Sequence, residues 1–479
     1  MLFVSLTKSK NPWIAGLSSF AIHLAILLLM AIWTVTGLSK AKRVGIESGI
    51  ATDSIENLTF LPQDPSEEES GQADFGPAEV STSIIVSNDK PTLNIEVGAT
   101  AAESAVLSDS IHHSGTLGIQ SAFLGMSLDA RSPKNRSTVG PRNGATRASE
   151  EAVEAALAYL ARHQKNDGSW TLHFEDSPCK GECDHSGIEK DSHEIAATGL
   201  ALLCFMGAGH TMHVGDYSEK VSRGVYFLIQ KLKIHSGRGT WLSSAAGAEM
   251  YEHGIATLAI CEALQMTGDT SLQESCQAAV NYINYAQHKD GGWDYHPKGP
   301  GDLSIVGWQV MALKSAVSAK LIVPQETIRG IDLFLRQESV GGFMYRYRTG
   351  KGKLSMTAIG TLMKILRGVS KTDPAVTRAV DYLLREGPDD KDVYHDYYAT
   401  QVLFHFGGKQ WETWNSTMRE YLIKTQVRTG HEAGSWWFSP DHSNEIGGRL
   451  YVTAMACLTL EIYYRYLPVY ESSDYEFKL

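Results

Sequence analysis

The sequence predicts an all-α fold in which six helical hairpins close into a ring, an (α/α)6 toroid over residues 148–479, preceded by a transmembrane helix and a tether. Three observations carry this. Gly-x-aromatic turns recur at Gly168-Ser-Trp170, Gly239-Thr-Trp241, Gly291-Gly-Trp293, Gly341-Gly-Phe343 and Gly434-Ser-Trp436. A one-sided amphipathic helix precedes each turn and a helix apolar on most faces follows it, the signatures of outer and inner positions respectively. The last helix, ending Tyr463-Tyr-Arg-Tyr-Leu-Pro468, has no polar face to cap an open solenoid. An open stack needs such caps, so closure of the last hairpin onto the first is the better solution.

Residues 1–43 form a short tail and a membrane anchor. No charge occurs from Trp13 to Leu38, a stretch that at about 1.5 Å per residue exceeds a hydrocarbon core of roughly 30 Å. The competing reading, a cleaved signal peptide, fits less well, because the run is too long and no small-x-small site follows. Lys8 and Lys10 precede the run while Lys40, Lys42 and Arg43 follow it, so charge barely orients it. A short tail before a large domain favours an extracytoplasmic ring.

Residues 44–147 read as a low-complexity linker. Pro62-Gln-Asp-Pro-Ser-Glu-Glu-Glu is acidic and poor in apolar residues, a composition that does not bury a core. Its end turns basic, with Arg131, Lys134, Arg136, Arg142 and Arg147. The plain reading is a solvated tether; docking to an acidic protein partner is the sharper one. For the whole chain the net charge of -11 argues against nucleic acid.

Within the ring, outer helices are expected over 149–164, 221–230, 275–287, 324–337, 374–386 and 414–426. Inner helices are expected over 194–205, 253–266, 302–317, 355–366, 396–406 and 449–464. The middle three turns are spaced by 52 and 50 residues, and Asp392-Val-Tyr394 supplies the missing fifth turn without its glycine. Gln164, Gln287 and Gln337 each stand six residues before the turn aromatic. The amide can bond the turn, the glycine permits a left-handed backbone, and the indole folds back on the hairpin.

This Gln-x3-Gly-x-Trp pattern resembles the repeat of squalene cyclases and the wider terpenoid-cyclase/prenyltransferase toroids, across all six units. Gly291-Gly-Trp-Asp-Tyr-His-Pro, Gly301-Asp-Leu-Ser-Ile-Val-Gly-Trp and Gly447-Gly-Arg-Leu-Tyr are similar to segments of membrane-anchored squalene-cyclase-like proteins of bacteria, planctomycetes especially. The resemblance implies a lipid- or isoprenoid-binding cavity, yet the chemistry does not carry over. The Asp-x-Asp-Asp acid that protonates an alkene is absent; Asp389-Asp-Lys-Asp392 reads as a solvated turn. Of the Asp, Cys and His that hold zinc in the prenyltransferases, Asp302 matches, but Ser304 and Ala399 stand at the other two positions.

Other residues remain as candidates. Cys179, Cys183 and His185 in the first turn have zinc-like spacing, with a Cys179–Cys183 disulfide as the alternative. His253, Asp302, Asp396 and Arg449 fall at inner-helix starts and are rim candidates. For the acids, N-capping explains their position without any function; Arg449 opposes the dipole and does not follow from capping. Trp308, Tyr397 and Tyr451 lie in the first turns of inner helices, as ligand-binding rings or as core packing. The sequence therefore supports three functions: a lipid- or isoprenoid-binding toroid, a scaffold for protein or envelope glycan, or a polysaccharide-acting enzyme, the last needing paired carboxylates across the cavity.

Overall fold

The computed structural model describes residues 130–187, 193–241, 249–389, 391–438, 442–466 and 468, all within one compact unit that spans 96–479. The membrane helix expected over 13–38, and the linker as far as residue 129, lie outside the described residues. None of the described helices is long and apolar enough to cross a membrane.

Helix α1 (Pro133–Asn143) comes first, and outer and inner helices then alternate. The pairs are α2 (Arg147–Arg162) with α3 (Glu194–Gly207), α4 (Ser218–Lys231) with α5 (Glu249–Thr267), and α6 (Gln273–Ala286) with α7 (Leu303–Ser318). They continue with α8 (Gln325–Glu338) and α9 (Leu354–Leu366), α10 (Pro374–Glu386) and α11 (Val393–Phe406), then α12 (Gly408–Thr425) and α13 (His442–Leu460), before the short α14 (Ile462–Arg465). Each inner helix packs on the next and α13 packs on α3, while α12 packs on α2. The ring is closed.

Burial follows the sequence pattern. Every residue of α11 is buried, and α3 is buried from Ala196 to Gly207. Outer α2 instead buries a stripe, Ala152, Val153, Ala156, Leu157 and Leu160. It starts with a capping box, in which the Thr146 hydroxyl accepts from Ser149 N at 3.1 Å and Ser149 Oγ accepts from Thr146 N at 2.9 Å. Helix α13 contains a left-handed kink at Gly448 (φ 64°), so its regular inner part begins at Arg449, where the sequence placed the start.

The turn motif does more than shape its own hairpin. Gln164 Nε2 donates to Gly168 O at 2.9 Å and also to Lys220 O, in the next outer helix, at 2.9 Å. Gln287 bonds Gly291 O and Thr327 O in the same way. Gln426 bonds Gly434 O at 3.0 Å and, across the closure, Ala152 O at 2.7 Å. Each indole folds back as expected: Trp170, Trp293 and Trp436 donate to Leu160, Ile283 and Leu422 carbonyls at 2.7–2.8 Å. Gly291 is left-handed (φ 90°), and a Cβ there would overlap the Gly330 carbonyl of the neighbouring outer helix.

Two features depart from the expected pattern. Residues 130–147, assigned to the linker, fold onto the ring, because Arg131 and Arg136 reach carbonyls at the end of α3: Met206 O at 3.4 Å and Ala208 O at 2.9 Å. The all-α pattern is also interrupted in two outer-to-inner connections. Strands β1 (Lys233–His235) and β2 (Arg238–Thr240) pair antiparallel, as do β3 (Ser339–Val340), β4 (Met344–Arg346) and β5 (Gly352–Lys353) in a second small sheet.

Candidate functional site: an axial cavity

The N-terminal turns of all six inner helices surround one cavity of about 600 Å³. Leu200 of α3, Ile255 of α5, Trp308 of α7, Met356 of α9, Tyr394 of α11 and Tyr451 of α13 all line it. Ligand pockets range over about 300–1,000 Å³ and are mostly apolar with a few polar groups; this chamber fits that description.

Five tyrosines, Tyr251, Tyr295, Tyr347, Tyr394 and Tyr451, form much of the wall. Several hydroxyls are spent on the protein. Tyr251 donates to Ser304 Oγ at 2.6 Å, Tyr394 to Ser304 O at 2.7 Å, and the Tyr295 and Tyr347 hydroxyls lie 3.3 Å apart. Burial pushes the Tyr251 and Tyr394 phenols well up, so they stay protonated. What these residues offer a guest is ring surface.

Polar contact is confined to a few positions. His193 Nδ1 lies 2.9 Å from Glu252 Oε1, and the other Glu252 oxygen accepts from Ala196 N at 3.3 Å. His193 itself has φ 43°, an unfavourable region for a non-glycine residue and one that recurs at functional sites. Lys353, Ser355 and Asp392 complete the polar lining. Asp392 caps α11 by accepting from His395 N at 2.9 Å.

The structure sorts the sequence candidates. Trp308 and Tyr451 line the cavity, whereas Tyr397 stacks behind Trp308 at 6.0 Å between ring centroids. His253 faces away from the axis, buried between α5 and α6, with Nε2 3.1 Å from Ala279 O and its ring packed on Trp241 and Tyr282. Burial lowers its pKa to about 4. Asp302 caps α7 through Ser304 N at 2.9 Å and pairs with Arg348 Nε at 3.0 Å. Asp396 accepts from Asp389 N at 2.9 Å and braces the preceding loop. These three lie outside the cavity wall, because the residues that face the axis are one or a few positions away: Glu252, Ser304 and Asp392. The sequence missed Tyr295 and Tyr347; Tyr295 stands two residues after its turn tryptophan, as Leu172 does in the first unit, and that register could have found it.

Arg449 is also off the cavity. Its Nε donates to Asp184 O at 3.0 Å, one NH2 group donates to Ser435 Oγ at 3.2 Å, and the other pairs with Glu432 at 3.0 Å. It therefore ties the loop of the first unit to the turn of the sixth. At this seam Cys179 and Cys183 are buried free thiols. The ring beside them is not His185, which stacks on Trp437 at 4.2 Å. Instead, ligand atoms of His163, Cys179, Cys183 and His431 lie within 4.8 Å of one another.

No family model matches the chain, and no curated protein matches it by sequence. Solved structures do resemble it. A type II terpene cyclase from Scytonema is 12% identical, over 67% of this chain and 98% of its own, with a TM-score of 0.45. A Clostridium perfringens protein described as an alpha-amylase is 10% identical over 65% and 97%, TM-score 0.44. An alpha-1,6-mannanase of Salegentibacter is 8% identical over 66% and 98%, TM-score 0.44. At these levels no substrate transfers to this chain.

Proposed function

We propose that the ring binds an elongated apolar ligand of the lipid or isoprenoid class in its axial cavity, polar end toward His193, Glu252 and Lys353. The observation that supports this reading is the wall itself: rings and aliphatic side chains from all six inner helices, with the Tyr251, Tyr295, Tyr347 and Tyr394 hydroxyls engaged within the protein. A sugar would need many free donors and acceptors beside the ring faces. The apolar stretch 13–38 suits the same reading, holding an extracytoplasmic ring at the bilayer that supplies the ligand.

The test is binding of radiolabelled geranylgeraniol and squalene to the full chain in lipid nanodiscs, with malto-oligosaccharide as the competing probe. Leu200→Trp, which puts a bulkier ring into the cavity, is expected to weaken isoprenoid binding at least about tenfold. Saccharide binding alone would transfer the site to the polysaccharide reading. Binding of neither probe, or isoprenoid binding indifferent to Leu200→Trp, would leave the ring as a scaffold and end the proposal.

A further inference from the structure

We infer that His163, Cys179, Cys183 and His431 form a structural zinc site that locks the seam of the ring. The inference is independent of what the cavity binds. The four ligand atoms come from three places: the end of α2, the loop after the first turn, and the turn of the sixth unit. His163 Nε2 is 3.3 Å from Cys183 Sγ, close to the roughly 3.5 Å edge of a tetrahedron built with Zn–N near 2.0–2.1 Å and Zn–S near 2.3 Å. The other ring nitrogen, Nδ1, donates to Tyr159 O at 2.7 Å. That bond fixes the tautomer with the Nε2 lone pair toward the thiols, as metal-bound imidazoles require. Glu182 Oε2 lies 3.4 Å from His431 Nδ1, which leaves the second nitrogen of that ring for coordination.

Two thiolates and two imidazoles suit zinc, and four protein ligands leave no open position for catalysis. Zn²⁺ with two thiolates is neutral overall, so the site tolerates burial that isolated thiolates do not. The surroundings hold the two loops together without the metal. Asp184 N donates to Glu432 Oε1 at 2.7 Å, and Arg449 bridges Asp184 O, Ser435 and Glu432. The outer edge of the cluster is His431, whose side chain is 34% exposed, giving the ion an entry route.

The test is the metal content of the full chain, purified without a histidine tag, by inductively coupled plasma mass spectrometry. About one zinc per chain is expected in the wild type and in His185→Ala, and its loss in His163→Ala and Cys183→Ser. Should those buried variants fail to fold, His431→Ala, at the exposed edge, reads the same loss. Cobalt exchanged into the site should show thiolate-to-metal charge-transfer absorption, and chelation should lower the melting temperature by roughly 5–10 °C. A zinc-free chain with Cys179 disulfide-bonded to Cys183 in a peptide map overturns the inference. So does zinc retained by His431→Ala and lost by His185→Ala.

Discussion

The two ends of the ring are made from opposite ends of the same six helices. Where the inner helices start, the axis is an open chamber of about 600 Å³ walled by rings and aliphatic groups. Where they finish, Arg131, Glu262, Lys314 and Arg465 converge and leave about 30 Å³ between them, room for roughly one water. The helix dipole accounts for the asymmetry. The negative end of the dipole attracts cations, and Arg465 accordingly reaches Leu203 O at 2.6 Å as Arg131 and Arg136 reach Met206 and Ala208. Charges so deeply placed need partners. Glu262 supplies them, 2.5 Å from Arg131 and 2.8 Å from Arg465, with Glu461 3.6 Å from Arg465. One end is sealed by paired charge, and the other is kept apolar and accessible.

Neutralising the seal should have the largest effect. Glu262→Gln leaves two guanidinium groups without their shared carboxylate and should cost about 3–5 kcal/mol in denaturant unfolding. A loss under about 1 kcal/mol would mean that the seal is not a balanced ion set. Next comes a matched pair in α3. Leu203→Ala, fully buried, should cost about 3 kcal/mol, whereas Leu200→Ala, already facing the cavity, should cost about 1 kcal/mol because it has fewer packing partners to lose. Equal losses would argue that the chamber is collapsed in solution.

The seal should also titrate. Burial raises Glu461 from 4.5 to about 8 despite Arg465. The folded state then holds a proton that the unfolded chain releases, so this carboxyl's contribution is greatest below about pH 4.5 and is lost as pH rises toward 8. The slope is up to about 1.4 kcal/mol per pH unit. His253 and His395, each lowered to about 4 by burial, act oppositely, losing stability as pH falls from 6.5 toward 4. The wild-type minus Glu461→Gln difference isolates the carboxyl; a flat difference across pH 4.5–8 would remove it from the seal. The stitches should give modest effects. Gln287→Ala and Gln426→Ala should each cost about 1–2 kcal/mol, and a clearly greater loss at Gln426 would mark the seam as the weak joint.

Much of the ring was legible because its signals are local. Helix type follows from the width of the apolar face, and Gly168, Gly291 and Gly434 announce their turns through the residues that flank them. Residues 130–147 were not legible as part of the ring. The basic residues that look like a tether's surface are helix-end caps for carbonyls about seventy positions further on, and nothing in the local pattern reveals that. The cavity wall was half legible: Trp308 and Tyr451 were found by their place in the first helical turns, while Tyr397, one residue past the expected start at Asp396, lies behind Trp308. A single step along an inner helix turns a side chain by about 100°, which separates Glu252 on the axis from His253 in the outer layer. His163 and His431 are 268 positions apart, and only closure of the ring makes them neighbours.

That the glutamine contact from the sixth unit to the first repeats the contacts inside the circle has a mechanical consequence. A stack of repeats can fray from its termini, but a hooped barrel has no outermost stave. Displacing any hairpin must break joints on both of its flanks at once, so amide exchange in the six inner helices should be governed by one shared opening rather than by a gradient running inward from either end.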